Sequence, residues 1–233
     1  MRGFLTAVCI VALMGVDVAQ AQPAPGLETV DETQAPWSGV AMINNSVYGR
    51  CTGALIAPDV VLTAAHYLYS RRTGVFVRPQ SVHVLLGYNR GEYGFHTVAA
   101  EVTLGDGYDP AAPTSSLTSD YALLRLVDEA PSGFVPLTIA SGTAAGRSVV
   151  AAGFAQERSQ VLTATPSCSV QGRSAEGLIV SDCIVSRGLS GGSLIDRKTG
   201  ELVGIQVAGG RRDGRVFALA VPAAEIPRDL PPP

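Results

Sequence analysis

Charged residues are scarce in this chain, and neither sign dominates. Asp, Glu, Lys and Arg make up 16% of the 233 residues, and the formal net charge is −3. Because the arginines are scattered along the sequence, no basic face of the kind that binds nucleic acid is expected. The low charge, together with 26 glycines, is typical of a turn-rich, exported β protein.

Long apolar runs are also missing, except near the N-terminus. Residues 1–21 begin with Arg2, continue through an apolar stretch and end in Ala19-Gln20-Ala21, the small-x-small pattern of a signal-peptidase site. The stretch is shorter than the ~20 residues that span a bilayer. We therefore predict a cleaved signal peptide, export to the periplasm or out of the cell, and no stable membrane insertion.

Cysteine is rare, and its spacing does not suit a metal. Cys9 leaves with the signal peptide, so the mature chain keeps Cys51, Cys168 and Cys183. No C-x-x-C or H-x-x-x-H spacing is present, and we predict no metal site. Cys168 and Cys183 lie in a turn-rich segment and are predicted to form a disulfide, which would stabilise the fold by ~3 kcal/mol. Cys51 is then free, buried or paired with another molecule.

Long helical patterns are absent between the termini. Short apolar runs broken by Gly, Pro and Asp predict two sets of strands. The first set is 39–43, 54–57, 60–64, 82–86, 97–104 and 121–127, and the second is 149–154, 160–165, 168–171, 178–181, 193–196, 202–207 and 216–221. This pattern predicts an all-β chain of two antiparallel barrels or sandwiches.

The two sets of strands define the organisation of the chain. We predict an N-terminal barrel over 36–130 and a C-terminal barrel over 131–222. The polar segment 22–35 and the tail 223–233, which ends in three prolines, are predicted to be flexible, with at most a short helix within 223–230.

No histidine follows Ser190, although this serine lies in the glycine-rich segment Gly188-Leu189-Ser190-Gly191-Gly192. A serine on a tight glycine turn suggests a nucleophile, and the segment also fits the G-x-S-x-G motif of α/β-hydrolases. That fold needs its histidine after the serine, so it is excluded. Two chain orders remain, His-Asp-Ser and Asp-His-Ser. The second belongs to the subtilisin fold, which alternates strands with helices and does not suit this all-β pattern.

Three local patterns converge on the first order. Thr63-Ala64-Ala65-His66 ends an apolar strand, Asp120 opens the apolar run 121–126, and Ser190 lies among glycines. Together they resemble the chymotrypsin-like, or trypsin-fold, serine endopeptidases over nearly the whole mature chain. The segments 51–56 and 202–205 are also similar to that family. The resemblance sharpens the expected fold to two six-stranded β-barrels with the active site between them.

The residue types suit peptide hydrolysis. A serine hydroxyl needs a base to accept its proton, and His66 fills that role. A buried carboxylate must orient the imidazole, and Asp120 is the candidate. The resemblance implies that the backbone N–H groups of Gly188 and Ser190 form the oxyanion hole. The remaining aspartates of this half are typical turn or capping residues, and they are Asp59, Asp106, Asp109 and Asp128. His83 and His96 are interpreted as surface or structural residues.

The chain departs from the family pattern beside its key residues. Leu189 stands where the family has Asp or Asn, Tyr67 replaces a cysteine that would pair with Cys51, and Ser193 replaces a proline. Leu189 cannot pair with a new N-terminal amine, so the chain is more similar to the bacterial V8-like, glutamyl-endopeptidase-like branch. It also raises an alternative, a catalytically inactive homologue that acts as a binding module because its oxyanion loop is unanchored.

Alignment to the family predicts the primary specificity pocket. Its lining residues would be Ile184, Val185, Gln206, Val207, Ala208 and Gly209. Because the pocket base carries no Asp, cleavage after Lys or Arg is disfavoured, and an apolar or small residue is expected there. Gln206 matches the histidine with which glutamyl endopeptidases bind acidic side chains. The expected partner is a polypeptide substrate with no metal or organic cofactor, and the sequence indicates no specific activator or inhibitor protein.

Overall fold

The computed structural model describes residues 26–47 and 49–227. The predicted signal peptide at 1–21, the start of the predicted flexible segment at 22–25 and the tail from 228 onwards lie outside the described residues. Within the described ranges, strands are joined by turns and six short 3₁₀ helices. No helix in these ranges is long and apolar enough to cross a membrane.

Sixteen strands make up the regular structure of the described residues. They are β1 (Glu28–Thr29), β2 (Val40–Asn45), β3 (Arg50–Ala57), β4 (Val60–Thr63), β5 (Tyr69–Ser70), β6 (Val75–Phe76), β7 (Val82–Leu86), β8 (Phe95–Leu104), β9 (Ala122–Leu126), β10 (Ser148–Gly153), β11 (Thr163–Ala164), β12 (Cys168–Arg173), β13 (Ile179–Ser181), β14 (Ser193–Asp196), β15 (Leu202–Arg212) and β16 (Arg215–Pro222). The 3₁₀ helices are Trp37–Gly39, Ala65–Leu68, Pro79–Ser81, Leu117–Ser119, Gln156–Arg158 and Ala223–Glu225.

The first barrel closes in the order β2-β3-β4-β9-β8-β7, and every pairing is antiparallel. Its strands direct branched apolar side chains inward, including Ile43, Leu55, Val61 and Leu124, all of which are buried. Burial of each such side chain contributes roughly 1.5–3 kcal/mol. β5 and β6 form a separate two-stranded ribbon after the His66 segment.

The second barrel runs β10-β12-β13-β16-β15-β14, and pairing of β10 with β14 closes it. Two short strands extend one side, where β11 pairs with β10 and β1 pairs with β11. The all-β prediction with two six-stranded barrels is confirmed. Within the segment 22–35, β1 is paired with β11 and Leu27 is only 4% exposed.

Two further segments differ from the sequence prediction. The run predicted to end at Val207 continues to Arg212, and β15 and β16 meet in a hairpin. Asp213 and Gly214 both have positive φ at its tip, as a two-residue turn requires. Near the C-terminus, the described chain contains only the 3₁₀ turn Ala223–Glu225, and Ile226 packs into the core.

The cysteines divide between the barrels. Cys168 and Cys183 form the predicted disulfide in the second barrel, with Cα atoms 5.0 Å apart. Cys51 lies on β3 of the first barrel as a free, buried thiol. Burial raises its pKa to about 12, against a smaller opposing effect of the Thr63 hydroxyl.

Candidate active site

His66 and Asp120 meet because their strands are neighbours. β4 ends at Thr63 and pairs with the start of β9 at Ala122, so the segments that flank these strand ends lie side by side. Asp120 Oδ2 lies 2.7 Å from His66 Nδ1, and Asp120 Oδ1 accepts a 2.9 Å hydrogen bond from the His66 backbone N–H. Both oxygens of this carboxylate are therefore engaged by one residue.

This contact orients the imidazole. Asp120 is 2% exposed, whereas the His66 side chain is 28% exposed. Because a carboxylate only accepts hydrogen bonds, the short contact assigns a proton to Nδ1 and leaves Nε2 as the basic nitrogen. The site can therefore offer a proton acceptor to a group in the cleft.

The loop that carries Ser190 is shaped by glycines on both sides. Gly188 has φ +87°, and a Cβ atom there would lie 2.2 Å from the Phe154 carbonyl oxygen. Gly191 has φ +72°, and a Cβ atom would lie 2.2 Å from the Thr52 carbonyl oxygen. Larger side chains would be strained and would clash with backbone. The glycines thus let the loop press against both barrels while Ser190 stays half-buried.

Thr52 ties this loop to the first barrel. Its backbone N–H donates to the Ser190 carbonyl at 3.1 Å, and its hydroxyl donates to the Gly188 carbonyl at 2.8 Å. The same hydroxyl accepts a 2.9 Å hydrogen bond from the Phe154 N–H. One fully buried threonine on β3 therefore bonds to both ends of the Gly188–Ser190 segment and to the second barrel.

Leu189 is anchored by packing. Leu189 is 1% exposed and packs in one cluster with Leu27 and Ala155. Leu27 is the second of the described residues, just before β1. Arg158 holds this N-terminal segment through a 2.9 Å hydrogen bond from Nη1 to the Leu27 carbonyl. The absence of an acidic residue at 189 thus does not leave the loop without contacts, because apolar burial fills the place of an ion pair.

The peptide between Arg187 and Gly188 directs its N–H toward Tyr67. The Arg187 carbonyl accepts a 2.7 Å hydrogen bond from the Gln156 N–H. In a trans peptide the following N–H points the opposite way, and the Gly188 N–H lies beside the Tyr67 hydroxyl. Burial raises the pKa of Tyr67, and this N–H opposes the rise. No carbonyl of the described residues accepts from the Gly188 or Ser190 N–H.

His66 and Ser190 line the same cleft, which has a volume of about 670 Å³. In the described part of the chain they share no hydrogen bond. Contacts of this kind commonly tighten only when substrate is bound. The arrangement therefore supplies a base and a hydroxyl on one surface, with the hydroxyl open to a ligand.

The six residues predicted for the primary pocket have different surroundings. Val185 and Gly209 contact each other so closely that a Cβ atom on Gly209 would lie 2.2 Å from Val185 Cγ1, whereas Ile184 contacts Gly26. Val207 packs in the core, and Ala208 is half-buried. Gln206 is 3% exposed, and neither atom of its side-chain amide has a hydrogen-bond partner among the described residues.

His83 and His96 lie away from this cleft. They stand on the neighbouring strands β7 and β8, exposed, with a 2.9 Å contact between Nδ1 of His83 and Nε2 of His96. This placement agrees with their interpretation as surface residues.

Sequence reasoning missed three residues that shape the site. Thr52 is a polar residue in a buried strand, which is a signal for a specific hydrogen-bonding role. Leu27 is an isolated apolar residue in a polar segment, and its contact with Leu189 is not visible from spacing. Arg187 precedes the glycine-rich segment and lines the cleft, but no motif distinguishes it from the other scattered arginines.

A family model and several solved structures match this chain. A family model described as a trypsin-like peptidase domain matches residues 51–205. No curated protein matches the sequence.

Solved structures share the architecture at low sequence identity. A Glu endopeptidase in complex with MPD has a TM-score of 0.73 at 22% identity, covering 87% of this chain and 94% of its own. Human heparin binding protein has a TM-score of 0.68 at 22% identity, and the match covers 85% of this chain and 91% of its own. The Vibrio cholerae VesB protease has a TM-score of 0.64 at 18% identity, and the match covers 85% of this chain and 64% of its own. At these identities the likeness shows the fold.

Proposed function

The chain belongs to the trypsin-like peptidase domain family, and from that premise we propose that it is an exported serine endopeptidase that acts through Ser190. The observation that carries the proposal is the His66–Asp120 pair, with its 2.7 Å side-chain contact, on the same cleft as Ser190. Its fold implies a polypeptide substrate.

Each residue takes one part of an acyl-transfer reaction. The Ser190 Oγ attacks the scissile carbonyl carbon while His66 Nε2 accepts the hydroxyl proton. The N–H groups of Gly188 and Ser190 stabilise the oxyanion, each by about 3 kcal/mol. His66 then protonates the leaving amine as the C–N bond breaks, and a water hydrolyses the acyl group on Ser190 by the same steps. Asp120 stabilises the imidazolium throughout.

A binding module without catalysis is the alternative that Leu189 raises. Burial of Leu189 against Leu27 supports catalysis over that alternative, because the loop has an anchor. The hydrogen bond from Gln156 to the Arg187 carbonyl also supports it, because that carbonyl turns away from the Gly188 N–H and no carbonyl of the described residues accepts from this N–H.

The proposal extends to substrate specificity and to the compartment in which the protein acts. Close contact of Val185 with Gly209 leaves little room between these walls, which supports a small residue before the cleaved bond. A disulfide between Cys168 and Cys183 supports an oxidising compartment, consistent with export through the segment 1–21.

Labelling with a fluorophosphonate probe tests the proposal. We expect the folded protein to be labelled, and Ser190→Ala or His66→Ala to lose the label. Ser141→Ala is the matched control, because Ser141 is an exposed serine outside the cleft. Folded protein that shows no Ser190-dependent labelling would exclude the peptidase function and favour the binding module.

A further inference from the structure

Several arginines line the catalytic cleft. The cleft of about 670 Å³ that contains His66 and Ser190 is also lined by Arg71, Arg72 and Arg187. An adjoining cavity of about 580 Å³ is lined by Arg50 and again by Arg187. We call these four arginines and the two cavities the basic cleft. No Asp or Glu of the described residues lines either cavity.

These positive charges are not neutralised within the described structure. None of the four arginines belongs to an ion pair there, although pairs form elsewhere, such as Arg173 with Glu225. Arg50 donates only to the Ser159 carbonyl, at 3.3 Å. The nearby Glu157 accepts from the Ser186 hydroxyl at 2.5 Å and does not line the cavities. Acidic residues outnumber basic ones over the chain, 20 to 17, so the basic cleft is a local concentration.

The basic cleft is separate from the predicted primary pocket. None of the six residues predicted for the primary pocket lines either cavity, whereas Tyr67 and Gly49 line both. Tyr67 directly follows His66, the residue that protonates the leaving amine. Peptide residues after the cleaved bond would therefore pass between Arg187 and the first barrel.

We propose that the basic cleft binds acidic side chains of the substrate in the first positions after the cleaved bond. This inference rests on the proposed peptidase function and adds a substrate class, peptides with Asp or Glu directly following the cleavage site. The arginines present planar guanidinium groups that match carboxylates in a bidentate geometry. Because Arg71, Arg72 and Arg187 are exposed and Arg50 is half-buried, solvent screens each pair, and the combined preference is on the order of tenfold.

A binding experiment tests the proposal without catalysis. The Ser190→Ala protein is titrated with two fluorescein-labelled peptides that differ only after the cleavage position, with Glu-Glu in one and Gln-Gln in the other. Their common sequence comes from a peptide library cleaved by the wild type. If nothing is cleaved, the sequence is selected by binding to Ser190→Ala, and the Glu-Glu or Gln-Gln pair is placed at each position of it in turn. We expect Kd to be about tenfold lower for the Glu-Glu peptide at low salt, and the difference to shrink as NaCl rises to ~0.5 M.

Charge reversal identifies the residues responsible. Arg187→Glu in the Ser190→Ala background should remove the preference for Glu-Glu and favour a Lys-Lys peptide. Arg215→Glu is the matched control, because Arg215 is exposed on β16 and lines neither cavity. Arg72→Glu is a second variant in a separate loop, which keeps the test independent of any folding defect at 187. Circular dichroism verifies that each variant is folded.

The outcomes separate this inference from the peptidase proposal. Equal Kd values for the Glu-Glu and Gln-Gln peptides, or the same loss in Arg215→Glu as in Arg187→Glu, would overturn the acidic preference even if Ser190 labels. A preference for Glu-Glu that depends on Arg187 supports the basic cleft even if the fluorophosphonate fails to label Ser190. In that case the protein binds acidic peptides without cleaving them.

Discussion

The first barrel carries His66 and Asp120 at adjacent strand ends, whereas the second barrel carries Ser190 on a loop between strands. His66 and Asp120 are joined directly by two hydrogen bonds of 2.7 and 2.9 Å. Ser190 is positioned by contacts from other parts of the chain, namely Thr52 on β3 and Leu27 beside β1. The comparison shows that one half of the site follows from local strand pairing and the other depends on long-range packing.

Asp120→Asn tests the half that is built locally. An amide at 120 has one acceptor oxygen for the two N–H groups of His66 that Asp120 accepts from, so its NH2 group can face Nδ1 and favour the wrong tautomer. Comparable changes lower catalysis about 10⁴-fold. We expect the second-order rate of fluorophosphonate labelling to fall by about that factor in a protein that remains folded. Asp109→Asn is the control, because Asp109 is exposed and caps a turn at Ala111. Labelling of Asp120→Asn within tenfold of wild type would contradict the role of Asp120.

Leu189→Ala tests the half that depends on distant contacts. Removing this buried side chain leaves a cavity beside Leu27 and should lower the free energy of unfolding by about 2–5 kcal/mol. If the Gly188 N–H moves by ~1 Å, the labelling rate should fall by on the order of 100-fold. Leu27→Ala should reproduce both effects, because it removes the other side of the same contact. Urea unfolding and labelling rates measure the two quantities.

A leucine of the first barrel provides the matched control for that experiment. Leu86 on β7 is fully buried in the core of the first barrel, away from the Ser190 loop. Leu86→Ala should lose similar stability yet keep its labelling rate below the unfolding transition. Equal loss of labelling in Leu86→Ala and Leu189→Ala would show that overall stability, and not the Leu27 contact, governs the loop.

Much of the fold could be predicted because it is recorded in local patterns. The predicted runs 82–86 and 193–196 coincide with β7 and β14, and Cys168 pairs with Cys183 as expected. The positions of His66 and Asp120 beside apolar strands also place them close together once β4 and β9 pair.

The remaining features depend on contacts between residues far apart in sequence. Leu27 and Leu189 meet only when β1 adds to β11, and no local periodicity signals a strand of two residues. Thr52 appears in the sequence as an ordinary strand residue, because threonine is favoured in strands for its β-branched shape. Its hydrogen bonds to the Ser190 loop require both barrels to be in place.

Asp196→Asn should weaken the second barrel in a pH-dependent way. Burial would raise the pKa of Asp196, but hydrogen bonds from Arg147 and from the N–H groups of Thr199 and Lys198 lower it to about 2. A carboxyl group with a lowered pKa stabilises the fold above its ordinary value of 3.8, and this contribution is lost as the pH falls toward 2. The shift corresponds to about 2 kcal/mol. We expect urea unfolding to show a loss of that size at pH 7 and a smaller difference from wild type near pH 2.5.

Thr199→Val checks the origin of that effect, because it removes one side-chain donor to Asp196 and keeps the Arg147 contact. Thr199→Val should lower the free energy of unfolding at pH 7 by less than Asp196→Asn does. A difference between Asp196→Asn and wild type that does not change from pH 7 to pH 2.5 would contradict the lowered pKa.

The reactivity of Cys51 tests whether the first barrel, which contains no disulfide, opens locally in the folded protein. The expected effect is the smallest of these predictions. Burial raises the pKa of this thiol to about 12, so little thiolate forms at pH 8 and reagent cannot reach the sulfur in the closed barrel. In protein that begins at residue 22, a disulfide-exchange reagent should titrate no thiol in the folded state and one thiol in urea. Ser190→Ala should behave identically, since it leaves β3 intact. Rapid reaction of the folded protein would mean that the first barrel opens locally. The positions of His66 and Asp120 would then depend on packing elsewhere in the barrel, as the position of Ser190 depends on distant contacts.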